Sequence, residues 1–375
     1  MAHIEKRTHV ARDGKRSTYW RARYTDPHGV GRSKTFTRKA DADAFVVTVE
    51  ADKLRGEWRD PKLGRRLFGE VAREWQAAQV HDESTAALVD NALRNHILPT
   101  FEHRPLAAIR TSEVQAWVKG RSEVLAPSTL GVVYRWLAAI FAAAVGDGII
   151  GQSPCRGVKR PTVEKPLVVP LAAEAVFALA GAVPERYRAL VVATAGTGLR
   201  QGEAFGLTVT DVDFLRRTVH VRRQVKLLAG RPPFLAPPKT PSSLRAVPLP
   251  DVVLEALSEH VRRFPPVGEQ LFTDEDGRLL HRGRFNTMWR KAAAAAGVAK
   301  GTGFHDLRHF YASALIASGA SVKVVQARLG HKSALETLDT YGHLWPQDDD
   351  LTRRAIDAVL AATPNRHPTE EAMGL

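Results

Sequence analysis

Cysteine is nearly absent from this 375-residue chain: Cys155 stands alone. That excludes an internal disulfide framework and any cysteine zinc cluster, and it fits a reducing cytoplasm. No apolar run approaches the ~20 residues that a membrane helix needs, so a membrane is not expected among the partners. The opening MAHIEKRTHV is polar and does not read as a secretory signal. No internal repeat stands out. Negative charge is also in short supply, with 40 Asp and Glu against 54 Lys and Arg, a formal net charge of +14 and a pI near 10.1. A basic surface neutralises phosphates and releases counterions, so nucleic acid leads as the partner class over a merely basic soluble protein. The excess is uneven. Residues 1–66 hold 17 Lys/Arg against 9 Asp/Glu, 17 − 9 = +8, whereas residues 346–375 hold 3 against 6, 3 − 6 = −3.

Hydrophobic residues make up 44% of the chain and charged residues 25%, an ordinary globular mix, and the length suggests two or three domains. The pattern predicts an α+β protein, mainly α. Residues 1–62 read as a three-stranded sheet plus a helix, with strands near 3–10, 17–25 and 32–37 and turns at Asp13-Gly14 and PHGVG 27–31. In the second strand Trp20, Ala22 and Tyr24 alternate with Tyr19, Arg21 and Arg23, so one face packs on a helix capped by Thr37 and the other presents arginines. Such a ribbon suits a DNA groove, and it suits a solvated sheet face equally well. Residues 66–150 read as all helix. One helix carries Leu88, Leu93 and Ile97 and is expected to stop at Pro99; another is capped by Thr111; the longest runs from about Pro127 to Val145 with Leu130, Val133, Leu137, Ile140 and Phe141 on one stripe. Residues 151–170, rich in proline and carrying Lys159, Arg160 and Lys165, form a linker by composition. Residues 171–362 are mixed but mainly helical with a small antiparallel sheet, and 363–375 read as a disordered tail.

Four clusters carry side chains suited to chemistry. In TGLRQGE, Arg200 and Glu203 are i,i+3 neighbours, and a carboxylate-braced guanidinium can hold a phosphate through two donors; an ordinary helix ion pair has the same spacing. In HDLRH, His305 can share a proton and Arg308 can clamp an oxyanion. His305 and His309 are also spaced like the two histidines of a zinc protease helix, but Asp306 stands where that motif needs Glu, and Arg308 would set positive charge beside a cation. In LGHKSALETLDTYGH, His331 follows a helix expected to start near Val322 and end at Gly330, and Tyr341 comes ten residues later, flanked by Gly342 and His343. A phenol attacking phosphorus stores in the phosphotyrosyl bond the energy needed for rejoining, although a lone Tyr is more often an amphipathic core residue. In PPKTPSS, Lys239 sits in a turn and has the labile proton of a general acid; by itself it reads as an exposed loop lysine.

The order Arg, Lys, His-x-x-Arg, His, Tyr and the strings that hold it resemble the tyrosine recombinase family, of the phage-integrase type. The ending TLDTYGHLWP looks most like integrases of actinobacterial phages and integrative elements. The resemblance implies an arm-type DNA-binding domain at 1–62, a helical core-binding domain at 66–150 and a catalytic domain at 171–362. It implies that Arg200 and Arg308 hold the nonbridging oxygens of the scissile phosphate. Tyr341 would attack phosphorus to give a 3′-phosphotyrosyl link, and Lys239 would protonate the departing 5′-oxygen, with Lys226 as a neighbour able to replace it. His305 would assist proton transfer from the tyrosine, His331 would hydrogen-bond the phosphate, and Glu203 would brace Arg200. Arg21, Arg23, Lys159 and Arg160 would touch DNA. No metal or other cofactor is implied, since two arginines do the electrostatic task often left to magnesium.

The partner would be double-stranded DNA at attachment sites, bound by four protomers, with an accessory bending or directionality factor. The segment LTRRAIDAVLAA, 351–362, puts Leu351, Ala355, Ile356, Val359 and Leu360 on one face, either to dock on a neighbouring protomer or to pack on its own domain. A type IB topoisomerase shares this chemistry but relaxes DNA without joining two sites. A DNA-binding protein that has lost catalysis is the non-enzymatic alternative.

Overall fold

The computed structural model describes residues 2–10, 16–27, 29–56, 58–60, 62–164, 166–266, 268–345 and 349–361. The expected turn at Asp13-Gly14 and tail at 363–375 lie outside them. The chain forms two compact units, Met1–Glu164 and Lys165–Leu375.

The first unit opens with an antiparallel sheet, β1 (His3–Val10), β2 (Arg16–Thr25) and β3 (Gly31–Phe36), in the order β1-β2-β3. The alternation in β2 places Ala22 and Tyr24 in the core, where Tyr24 meets Phe45 of helix α1 (Lys39–Leu54) edge-on. The N-cap of α1 is Arg38, so Thr37 stands one residue outside the capping position expected for it. On the opposite face Glu5 joins Arg7 and Arg23, and these bonds hold its carboxyl down to about 2, Arg7 contributing most and His3 next. The arginine face is therefore partly neutralised from within.

Helices α2 (Phe68–Ala78), α3 (Glu83–Ala92), α4 (Leu98–Phe101), α5 (Thr111–Ser122) and α6 (Pro127–Gly146) enclose a second core. Pro99 does not stop its helix. A π turn over Leu93–Ile97 joins α3 to α4, and Pro99 falls in the first turn of α4, where a missing N–H is tolerated. The His96 carbonyl accepts the Trp117 indole N–H at 3.1 Å. Leu88 faces solvent, not the core. Thr111 is the first residue of α5, and Arg110 takes the cap position. At 20 residues α6 is long and apolar enough to cross a membrane, which corrects the expectation that no run approaches that length. In this fold its stripe, Leu130, Val133, Leu137, Ile140 and Phe141, is core. The chain that follows is fastened to these helices: the Tyr134 hydroxyl donates to the Cys155 carbonyl at 2.8 Å, Arg160 stacks over the Tyr134 ring, and Gln115 brackets the Lys159 backbone.

The second unit packs α7 (Ala173–Ala182) and α8 (Glu185–Thr197) against α10 (Asp251–Arg263), α11 (Arg282–Ala295) and α12 (Asp306–Ala317). Between α8 and α10 come short α9 (Gln201–Phe205), an antiparallel sheet β4-β5-β8 (Val212–Asp213, Thr218–Val221, Arg245–Pro248) and a hairpin of β6 (Gln224–Lys226) with β7 (Phe234–Ala236). Val219 and Val221 lie in the sheet and Val225 in the hairpin, so one valine-bearing stretch is split between the two. Helices α13 (Val322–Leu329) and α14 (Ala334–Tyr341) follow, then α15 (Asp349–Ala361). On α15 Ile356, Val359 and Leu360 are exposed; the side chains of Leu351 and Ala355 lie outside the described set.

Candidate active site

The site begins where α8 ends. Gly198 closes that helix in the left-handed region, φ 65°, and a Cβ there would lie 2.3 Å from the Tyr311 ring, so only glycine fits. The turn aims the Gly198 carbonyl at Arg308 and sets Arg200 at the N-cap of α9. One helical turn on, Glu203 is 2% exposed and accepts from the Arg200 backbone N–H at 3.0 Å and the Arg200 guanidinium at 2.9 Å. Its second oxygen also takes Arg245 at 2.9 Å, from strand β8. Burial opposes ionisation of Glu203, but Arg245 and then Arg200 outweigh it and hold the carboxyl below its usual range.

Three guanidiniums then converge on the end of α13. Arg245 donates to the Arg328 carbonyl at 2.7 Å, Arg308 to the Leu329 carbonyl at 2.7 Å, and Arg200 to the Gly330 carbonyl at 3.2 Å. The last carbonyls of a helix have no partner within it and carry its negative dipole end, so they suit cations. Gly330 ends α13 at φ 66°, and a Cβ there would sit 2.9 Å from the Ser242 carbonyl oxygen and 3.0 Å from Arg245.

Arg308 is 2% exposed and gives its other bond to the Gly198 carbonyl at 2.6 Å. It makes no ion pair among the described residues. Burial, with the Arg200 charge next, lowers it to about 9, which still leaves it charged at neutral pH. A buried guanidinium held only by carbonyls is costly unless an anion completes it.

Tyr341, the last residue of α14, is 1% exposed. Its hydroxyl lies 2.8 Å from His309 Nδ1. Burial pushes the phenol up to about 12 against the pull of Arg308 and Arg200. His331 stacks on the phenol ring with planes 10° apart, while its Nδ1 meets the Thr337 hydroxyl at 2.8 Å. His305 stands at the N-cap of α12, its ring 4.8 Å from that of His309. Asp306, the residue that spoils the zinc motif, accepts from the Gly303 N–H at 2.8 Å and starts α12. Among the described residues no group of three or more His, Cys, Asp or Glu is placed to hold a metal.

The structure thus brings together Arg200, Glu203, His305, Arg308, His331 and Tyr341. Lys239 lies outside that set, exposed in the bend after β7. Lys226 pairs with Phe234 in the hairpin. Three members escaped the sequence reading: Arg245, Thr337 and the contact of His309 with Tyr341. Arg245 gives no local signal, since Glu203 is 42 residues away and the two meet only when the sheet closes. Thr337 follows His331 by six residues and was legible as a partner only once both helix ends were known.

The histidines give the site a measurable pH response. His331 is lowered to about 4 by burial and then Arg308. His305 is lowered to about 4 by burial first and then by His309, Arg308, Arg200 and Arg282. Unfolded histidines take protons near pH 6.5. Between about pH 6.5 and 4 the unfolded state therefore binds more protons than the folded one, and stability falls as pH is lowered through that window. The urea midpoint is expected to be lower at pH 5 than at pH 7; a midpoint that rises on acidification would contradict imidazoles held neutral by the fold.

Residues 171–347 match the model of the Phage integrase family, and residues 68–161 that of the Phage integrase central domain. The putative prophage phiRv2 integrase of Mycobacterium tuberculosis is 29% identical over 327 residues, covering 84% of this chain and 86% of that protein. Tyrosine recombinase XerD of Mycobacterium leprae is 30% identical over 248 residues, 62% of this chain and 73% of that one. Among solved structures, the Tn1549 transposon integrase in complex with transposon right end DNA aligns with a TM-score of 0.68 at 21% identity, over 79% of this chain and 100% of that chain, a likeness of fold.

Proposed function

This chain belongs to the phage integrase family of tyrosine recombinases and is a site-specific DNA recombinase; from that premise we propose that Tyr341 carries the cut strand and that Arg200 and Arg308 hold the phosphate. Arg308 supports this most strongly. It is a buried charge with no carboxylate of its own, beside a buried phenol, and a scissile phosphate is the anion that would complete it.

In the proposed reaction the Tyr341 oxygen bonds to phosphorus as the bond to the 5′-oxygen breaks. The link formed is 3′-phosphotyrosyl, and the 5′-oxygen leaves with a proton from Lys239. Arg200 and Arg308 donate to the nonbridging oxygens, where charge builds in the pentacoordinate transition state. His331, its Nδ1 on Thr337, offers Nε2 to the phosphate. His305 assists proton movement at the same end of the cradle. Glu203 and Arg245 keep Arg200 in place. Rejoining is the reverse attack by a 5′-hydroxyl of another duplex. In this conformation Tyr341 is enclosed, its hydroxyl held by His309. Lys239 closes over the leaving group from its exposed bend.

Residues 1–62 act in this reading as an arm-type DNA-binding unit through Arg21 and Arg23, 66–150 as the core-site binder, 151–170 as a linker carrying Lys159 and Arg160 along the backbone, and 171–362 as the catalytic domain. Exchange between two duplexes cuts four strands and so uses four protomers. The exposed Ile356, Val359 and Leu360 of α15 suit docking on a neighbour. Integration and excision of a mobile element in the cytoplasm, helped by a DNA-bending or directionality factor, follow from the same reading.

The test uses the full chain and a duplex from the DNA flanking its own gene, nicked near the cut so that the short 5′ strand is lost. A covalent adduct through a 3′-phosphate, leaving a 5′-hydroxyl and formed equally in EDTA, is expected. No adduct on any flanking fragment would overturn the reading, and an adduct that requires divalent metal would overturn its metal-free form.

A further inference from the structure

Resting on Tyr341 as the nucleophile, we infer that His309 is the catalytic base that takes the phenol proton. The geometry singles it out among three nearby imidazoles. His309 Nδ1 is 2.8 Å from the Tyr341 hydroxyl, and their rings meet edge to face at 65° with centroids 5.6 Å apart. His331 offers the phenol ring its face, and its Nδ1 is taken by Thr337. His305 is one turn back, in ring contact with His309 and not with Tyr341. Among the described residues His309 is the only side chain hydrogen-bonded to the phenol oxygen.

The proton balance is simple. With Nδ1 bare and the ring proton on Nε2, the phenol donates to Nδ1. As the Tyr341 oxygen bonds to phosphorus, its proton passes to Nδ1 and leaves an imidazolium. When a 5′-hydroxyl attacks in rejoining, the same proton returns to the departing phenolate. Burial keeps His309 neutral, as an acceptor must be, and the Asp306 carboxylate one helical turn before it steadies the transient cation against the Arg308 charge. The fixed bond also explains how an enclosed phenol is held in a single rotamer before the phosphate arrives. The role sits at a position whose spacing to His305 suggests a metal ligand, and the fold turns it to the phenol instead.

The experiment compares His309→Asn and His309→Ala on the nicked duplex, reading the rate of adduct formation, with binding and melting temperature measured alongside. Asparagine places an amide where Nδ1 was. It keeps the hydrogen bond to Tyr341 and cannot take a proton. If His309 is the base, both variants lose about 100-fold or more in rate, duplex binding is unchanged, and added imidazole restores His309→Ala. If His309→Asn cleaves within about threefold of the parent, the residue only positions the phenol and the inference fails. Should His309→Ala not fold, the rate of His309→Asn decides alone. Tyr341→Phe separates the two readings: an adduct in that variant removes Tyr341 as nucleophile, whereas no adduct there combined with a normal rate in His309→Asn removes only the base.

Discussion

Tyr341→Phe is expected to abolish adduct formation while leaving the fold and duplex binding intact. The substitution deletes a single oxygen. The ring is 1% exposed and stacked with His331, and phenylalanine keeps that packing. The cost is the His309 hydrogen bond, on the order of 1 kcal/mol, because a half-buried imidazole nitrogen loses its partner. The melting temperature should therefore fall by only a few degrees, so loss of the adduct reports chemistry and not collapse. Tyr311 cannot substitute, since its ring is packed against Gly198 at the end of α8. An adduct that persists in Tyr341→Phe would move the nucleophile elsewhere.

Arg308→Ala is expected to lower cleavage by about a thousandfold, the upper range for removing one preorganised donor from a developing oxyanion. Duplex binding should stay within about tenfold, since one phosphate is a small share of the footprint. Stability is the distinguishing readout. Arg308 is a buried cation satisfied only by two carbonyls and pressed by Arg200, so removing it relieves a desolvation penalty while opening a cavity. The two effects oppose, and the melting temperature should change little. Normal cleavage by the variant would contradict the phosphate clamp.

How far the sequence could be read depended on how local each signal was. The β2 alternation, the α6 stripe and the Gly330 helix end rest on neighbours a few residues apart, and all three could be placed in advance. The Arg200–Glu203 brace belongs with them. Pro99 misled because a π turn ending at Ile97 had already changed the helical phase, and a single proline carries no record of that. The stretch around Val225 was not legible, because periodicity does not say which strand a residue pairs with. Arg245 was invisible for a different reason. It reaches Glu203 and the Arg328 carbonyl only through sheet closure and the seating of α13 on β8, both set by long-range packing. His309 was noticed for the wrong partner: its spacing to His305 is a fact of one helix, whereas its approach to Tyr341 depends on how α12, α13 and α14 fold back on one another. Lys239 belongs to a loop whose reach spacing does not fix, and among the described residues no hydrogen bond holds its side chain.

The end of α13 has a mechanical meaning. Arg245, Arg308 and Arg200 hang from the carbonyls of residues 328, 329 and 330, and His331 is the next residue along. Buried Val325 and Leu329 seat that helix in the core. A slight tilt of α13 would therefore carry the anchors of all three cations and one imidazole together, as a single jaw would carry its teeth. Loosening Val325, which touches no reacting atom, would misalign the whole grip at once, so a distant packing defect can mimic the loss of a catalytic side chain.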